Sequence, residues 1–292
     1  MSEALRSLAP ATQQADARRQ AQLLRTLSYI GLFTLAFIVL IPFFWMLSTS
    51  FKPARGIFVM PPQWIPNPFI LDHYVTIWQK THLARGLVNS TFIALSTTVG
   101  EIATSTLAGF AFARMRFPAK GPLFGLLLMT MMIPGIVTLI PTFILFGELD
   151  WIDTFNPVIL PYLLGTPFAL FLSRQFFSGL PRELEDAAKV DGASFFQIYR
   201  HVFMPQARPL VATLFVLGYL HRWNDFLAPL IYLRSPEIQT VSVMLARLVD
   251  FYVQDWSVLM AGAMIALLPI LIIFVVLQRF IIESVAFSGL KG

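Results

Sequence analysis

The chain has 292 residues, 57% hydrophobic and 13% charged, with a mean hydropathy of +0.70, which leaves too little polar surface to coat a soluble globule of this size. Its net charge of +5 sits in short loops between apolar runs rather than in one stripe, a pattern of membrane topology and not of nucleic-acid binding. The absence of cysteine excludes disulfide and thiol chemistry, and His73, His82, His201 and His221 lack the spacing of metal ligands.

Apolar runs of ~20 residues, the length that crosses ~30 Å of hydrocarbon, point to an all-α polytopic membrane protein of about six transmembrane helices. Spans are expected near 27–49, 86–113, 122–147, 157–177, 210–232 and 257–282. Residues 1–25 read as a polar, basic cytoplasmic leader and 26–292 as the transmembrane domain. The first apolar run is too long for the core of a cleaved signal peptide and is expected to stay as an anchor. A cytoplasmic N-terminus puts most of the 21 basic residues inside and leaves the short loop with Glu148, Asp150 and Asp153 outside. Both termini are then cytoplasmic.

The outer segment at roughly 50–85 holds Pro53, Pro61, Pro62, Pro66 and Pro68 among aromatic residues, so its first half reads as extended chain. Ile70, Tyr74, Ile77 and Trp78 follow at helical spacing, suiting a helix at the membrane interface that caps the bundle or receives an external partner. In the second span, Asn89 and Glu101 lie among Ser and Thr residues, and an ionisable group there needs a partner or a cavity. Pro134, Pro141, Pro161, Pro167 and Pro269 bend the later spans. In the fifth, Arg222 and Asp225 at i, i+3 are placed to pair on one helix face beside Asn224. Asn89, Glu101, Asn224 and Asp225 are the candidate pathway residues. Residues 233–256 form a second long outer segment.

The polar insert at 178–209 is too helix-prone for a linker. Pro181 suits a first helical turn, Glu183 and Glu185 complement its positive end, and Leu184, Ala187 and Ala188 form a small apolar face. Gly192 stops the helix, and Ser194 with Gln197 makes a capping box for a second one ending near Pro205. Two short helices meeting at a glycine, with alanines and acids at the tip, have the form of a plug for a groove in another protein.

Asp186-Ala187-Ala188, three residues, Gly192, nine residues and then Val202-Phe203-Met204-Pro205 resembles the EAA loop of ABC importer permeases, with Asp for Glu, Val for Ile and Met for Leu. The run Ala111–Pro118, Trp223-Asn224-Asp225, the 256–269 region and Leu290-Lys291-Gly292 resemble the carbohydrate-type binding-protein-dependent permeases, the family of the bacterial maltose importer. That resemblance implies a type I ABC importer permease in the bacterial inner membrane, working with a second permease subunit, two ATPase subunits and an extracytoplasmic solute-binding protein. It assigns ATPase coupling to the loop carrying Glu185, Asp186, Ala187, Ala188, Asp191, Gly192 and Pro205. The chain contains no G-x-x-x-x-G-K-[ST] phosphate loop, so it is expected to be no enzyme and to hold no cofactor, with ATP and magnesium on a partner. Glycerol-3-phosphate is the alternative solute within the family. An ion-coupled carrier with a proton on Glu101 or Asp225 would call for inverted repeats and usually ~ten or more spans, neither of which is visible.

Overall fold

The computed structural model describes residues 11–251 and 256–289, and within them the chain is helical without strands. Helix α1, Ala11–Ser50, takes in the first span, so the expected leader is already helical from Ala11. Leu27, Phe33 and Phe37 stand exposed along α1, and among its residues with described burial only Ser48, Thr49 and Ser50, at its C-terminal end, are buried. A helix apolar on every side and uncovered by its own chain is surfaced for lipid or another membrane protein.

The segment after α1 is irregular, as its prolines require, and is knit by aromatic and polar contacts. Phe51 stacks on Phe69 at 4.4 Å and Trp45 meets Trp64 edge-on at 5.2 Å. The Lys52 carbonyl receives His73 Nε2 at 2.9 Å and the Ser257 hydroxyl at 2.7 Å, joining this cap to the last helix. Helix α2, Asp72–Lys80, does not simply lie at the interface. Its Ile77 is fully buried with Leu83, Val241 and Val258, so the apolar stripe faces protein and only Trp78 turns outward.

Helix α3, Leu83–Arg114, runs through the centre of the bundle. Its 32 residues span ~48 Å, more than a bilayer core. The expected third span, 122–147, is two helices, α4 (Lys120–Thr130) and α5 (Gly135–Glu148), bent by 95°. Pro134 causes the break, because the residue before a proline is driven out of the helical region. The fourth divides into α6 (Asn156–Leu163) and α7 (Pro167–Ser178), with Thr166 capping α7 by accepting from the Ala169 N–H. The polar insert follows, beginning with α8, Glu183–Val190.

The fifth span is α9 (Arg208–Trp223) and α10 (Leu227–Tyr232), α11 is Val241–Phe251, and α12, Trp256–Gly289, forms the last. Arg19–Ser50, Asn156–Ser178 and Trp256–Arg279 are long and apolar enough to cross a membrane alone, and the bent α4–α5 pair, taken as one span, makes a fourth. The α3 and α9–α10 spans are more polar for a physical reason. Helix α3 packs against α6, α7, α9 and α11, so one side of it meets protein and can carry Ser90, Thr97, Glu101 and Ser105 inward, while Val88, Phe92 and Val99 stand exposed on the other.

Candidate coupling and pathway sites

The insert departs from expectation at both ends. Helix α8 starts at Glu183, two residues after Pro181, with Arg182 at its N-cap. Gly192 ends it with a φ of +78°, a left-handed turn that glycine adopts without strain. The capping box is present: the Ser194 N–H donates to Gln197 Oε1 at 2.8 Å and the Gln197 N–H to Ser194 Oγ at 3.4 Å. Beyond it, Phe195–Gln197 widens into a π-turn, Ile198–Phe203, then Met204–Gln206, and the chain enters α9 almost without pause. Pro205 offers no N–H to a preceding carbonyl, and the ladder loosens just ahead of it.

The expected coupling residues divide between two faces. Asp186, Ala187, Asp191 and Gly192 are exposed with Val190, which is 88% accessible, and Pro205 is exposed in the following turn. Ala188 is half-buried against the aromatic core of Phe110, Phe177 and Phe203. Glu185 points inward and is only 6% exposed. Its carboxylate meets Lys189 Nζ at 2.6 Å and Arg114 Nη1 at 3.8 Å. Arg114, in the last turn of α3, also donates through Nε and Nη2 to the Phe177 carbonyl at 3.1 and 2.6 Å and to the Leu180 carbonyl. The sequence places Arg114 in the run Ala111–Pro118 and among the basic residues expected inside; nothing in its spacing couples it to a glutamate in the polar insert.

Within the bundle, Thr166 donates its hydroxyl to Glu101 Oε1, and Arg222 Nη2 lies 3.8 Å from Glu101 Oε2. The Arg222 guanidinium lies 3.5 Å from the ring centre of Tyr162. Arg222 therefore pairs across helices with Glu101 and not with Asp225. Helix α9 ends at Trp223, so Asp225 has left the helical face that the i, i+3 spacing assumed. Asp225 instead caps α10, accepting from the Ala228 N–H at 3.4 Å, while its carbonyl receives the Ser242 hydroxyl at 2.7 Å. Asn224 is exposed, its amide donating to the Leu220 carbonyl at 2.8 Å. Asn89 donates to the Glu237 and Gln239 carbonyls, both at 2.9 Å, and beside it Ser90 Oγ accepts from the Val241 N–H at 2.9 Å. Of the four pathway candidates, Asn224 presents the open side chain. Glu101 and Asn89 are committed to contacts within the chain.

Between α5 and α6, Asp153 forms a clasp that the sequence did not announce. Its Oδ1 accepts from the Arg234 and Ser235 N–H groups at 2.8 and 2.7 Å, and the Ser235 hydroxyl donates to Oδ2. The Ser235 hydroxyl bond foremost, with the backbone donors, holds its carboxyl below the usual aspartate range. The clasp and the Asn89 bonds seat residues 233–241 on one end of the bundle.

No cluster of metal-ligating side chains occurs among the described residues. A helical bundle with spans broken at 131–134, 164–166 and 224–226, buried polar ties between them and an exposed knob at one end has the architecture of a membrane transport permease. Residues 105–286 match the binding-protein-dependent transport system inner membrane component, and the chain belongs to that family. The arabinooligosaccharides transport system permease of Halalkalibacterium halodurans is 32% identical over 281 residues, covering 94% of this chain and 99% of that protein. The sn-glycerol-3-phosphate transport system permease of Agrobacterium fabrum is 30% identical over 269 residues, covering 89% of this chain and 95% of its own length. Among solved structures, a bacterial ABC transporter involved in import of the acidic polysaccharide alginate aligns with a TM-score of 0.78 at 20% identity, covering 90% of this chain and 98% of that one. The last likeness shows the fold.

Proposed function

We propose that this chain is a permease subunit of an ATP-driven carbohydrate importer, coupled to a cytoplasmic ATPase through the exposed face of α8. The observation that carries the coupling assignment is the tip itself. Ala187, Val190 and Gly192 stand open beside Asp186 and Asp191, with no heavy atom other than those of its chain neighbours within 4 Å of a Cβ built on Gly192. An apolar valine held in water among the charged residues Asp186, Lys189 and Asp191 is a surface awaiting a protein groove. Glu185 belongs to the support of that face, not to the face.

In this reading a second permease completes the conduit, two ATPase subunits hold ATP and magnesium, and an extracytoplasmic binding protein delivers solute to the outer cap. The α8 end is cytoplasmic, because Arg114, Lys120, Arg174 and Lys189 gather there, Lys120 donating to the Met115 carbonyl at 2.8 Å and Arg174 to the Phe112 carbonyl at 3.4 Å. With an even number of crossings, both termini face the same side. Membership of the carbohydrate-type relatives favours a sugar. A phosphate-bearing solute calls for cations along the path, and Arg222, the cation within the fifth span, is turned to Glu101 and Tyr162, which favours a neutral carbohydrate over glycerol-3-phosphate. An ion-coupled mechanism is disfavoured by the same contacts, since Glu101 is 6% exposed and tied to Thr166 and Arg222.

The test is purification of the chain from native membranes with its partners identified by mass spectrometry, then ATP hydrolysis with binding protein loaded with candidate sugars or glycerol-3-phosphate. Recovery of an ATPase and stimulation by one sugar supports the proposal. Transport by the lone chain without ATP refutes it.

A further inference from the structure

The knob projects from the bundle on a helix of 8 residues that ends at Gly192 in open space, yet a part that transmits force has to be held at a fixed angle. Burial alone supplies little of this, since most of α8 is exposed. One side chain supplies the rest. The Arg114 side chain is only 5% exposed, and its guanidinium reaches three elements beyond its own helix.

Two of its nitrogens serve the Phe177 carbonyl and one also the Leu180 carbonyl, at the end of α7 where the last carbonyls have no helical partner and carry partial negative charge. A third faces Glu185 on α8 at 3.8 Å. The guanidinium also lies 4.9 Å from the ring centre of Phe203 in the π-turn, within cation–π range. A planar fork with five donors can meet these directions together, and an ammonium cannot.

The surrounding packing makes this a joint between rigid parts. Five residues earlier on α3, a Cβ on Gly109 would run into Ser173 Cβ and lie 2.8 Å from the Arg174 nitrogen. Helices α3 and α7 thus meet backbone to backbone and move together. Tyr199 of the π-turn adds a hydroxyl–hydroxyl bond to Thr106 at 2.9 Å. Further along α3, ~20 Å from Arg114, Glu101 meets Thr166 and Arg222. Helix α3 is therefore a rod with one charged attachment at the knob and another at α9.

We propose that Arg114 is the positioning residue of coupling: through Glu185 and the α7 carbonyls it sets the angle of α8 to α3, so that displacement of the knob reaches the Glu101–Arg222 layer. The proposal rests on reading α8 as the ATPase contact.

The test uses the complete importer in proteoliposomes and measures solute imported per ATP hydrolysed, alongside assembly and thermal stability. Arg114→Gln should assemble with its partners but lower that ratio about tenfold or more, the factor set by losing charge-assisted bonds. Arg114→Lys should recover part of it, because lysine can face Glu185 but cannot fork to the carbonyls. Glu185→Gln, which keeps the shape of the side chain and removes only its charge, should lower the ratio less. A purely structural role would reduce yield or stability and leave the ratio unchanged. A wild-type ratio in Arg114→Gln overturns the proposal, and if that variant does not assemble, a wild-type ratio in Glu185→Gln does so. Absence of an ATPase from the wild-type preparation would instead refute the reading of α8 beneath it.

Discussion

Replacing Glu101 by Gln tests whether the buried pair with Arg222 is a structural tie or part of the solute path. Both side chains are under a tenth exposed and their charges lie 3.8 Å apart. At that separation and an effective dielectric of ~20 the attraction is about 4 kcal/mol. The Gln side chain retains an oxygen for the Thr166 hydroxyl, so the change removes charge and little else. It leaves the Arg222 cation buried against Tyr162 without a counter-charge, and breaking one side of such a pair costs about 3–5 kcal/mol. Arg222→Met should also destabilise. The double variant should recover much of the loss, because a buried pair exchanged for neutral groups of similar volume is often close to neutral.

The assay is reversible unfolding of the purified chain in detergent micelles by a denaturing surfactant, followed through tryptophan emission; Trp223 is the residue after Arg222 and is buried. Solute titration of uptake by the reconstituted importer accompanies it. A Glu101→Gln protein within about 1 kcal/mol of wild type, or strictly additive losses in the double variant, would refute the tie. A variant of normal stability with a raised apparent KM would place Glu101 on the solute path instead.

Gly109→Val should destabilise the chain by about 1–3 kcal/mol or more, since its first carbon already meets Ser173 and the Arg174 backbone; the same unfolding assay reads it. Gly192→Pro should abolish ATP-driven uptake while leaving the amount in membranes unchanged, because proline cannot take a φ of +78°; vesicle uptake with immunoblotting decides it, and normal uptake would sink the role of the turn. The Asp153 clasp has a definite pH direction. Its carboxyl is held below its ordinary range, so its contribution is fully present above the unfolded value of ~3.9 and is lost as pH falls through the lower folded value. Protection of the Arg234 and Ser235 amides, taken against the intrinsic exchange rate at each pH, should hold from neutral pH to about 4 and fall in more acid buffer, and Asp153→Asn should remove that acid dependence.

The helical bundle was legible because its signals are local. Apolar length gives a span whatever its neighbours, and Ser194 and Gln197 announce a capping box three residues apart, which formed as expected. Breaks were half legible: Pro134 marks where α4 must end, but proline does not state the angle, and the 95° bend turned one expected span into two helices. The charged residues were misread where their partners are distant in sequence. Arg222 has Asp225 at helical spacing, yet the helix ends between them and Glu101, on another helix, takes its place. Glu185 looked like part of an acidic docking tip because its neighbours Asp186 and Ala187 are, but a period of 3.6 residues turns adjacent side chains ~100° apart, enough to put one in water and the next against Arg114. The residues that tie the helices together lie where adjacency says least, and the exposed ones follow the local pattern. In a transporter this division has a mechanical sense. Surface residues such as Val190 are free to meet partners, while Arg114, Glu101 and Arg222, each committed to a neighbouring helix, make the movement of one helix the movement of the next.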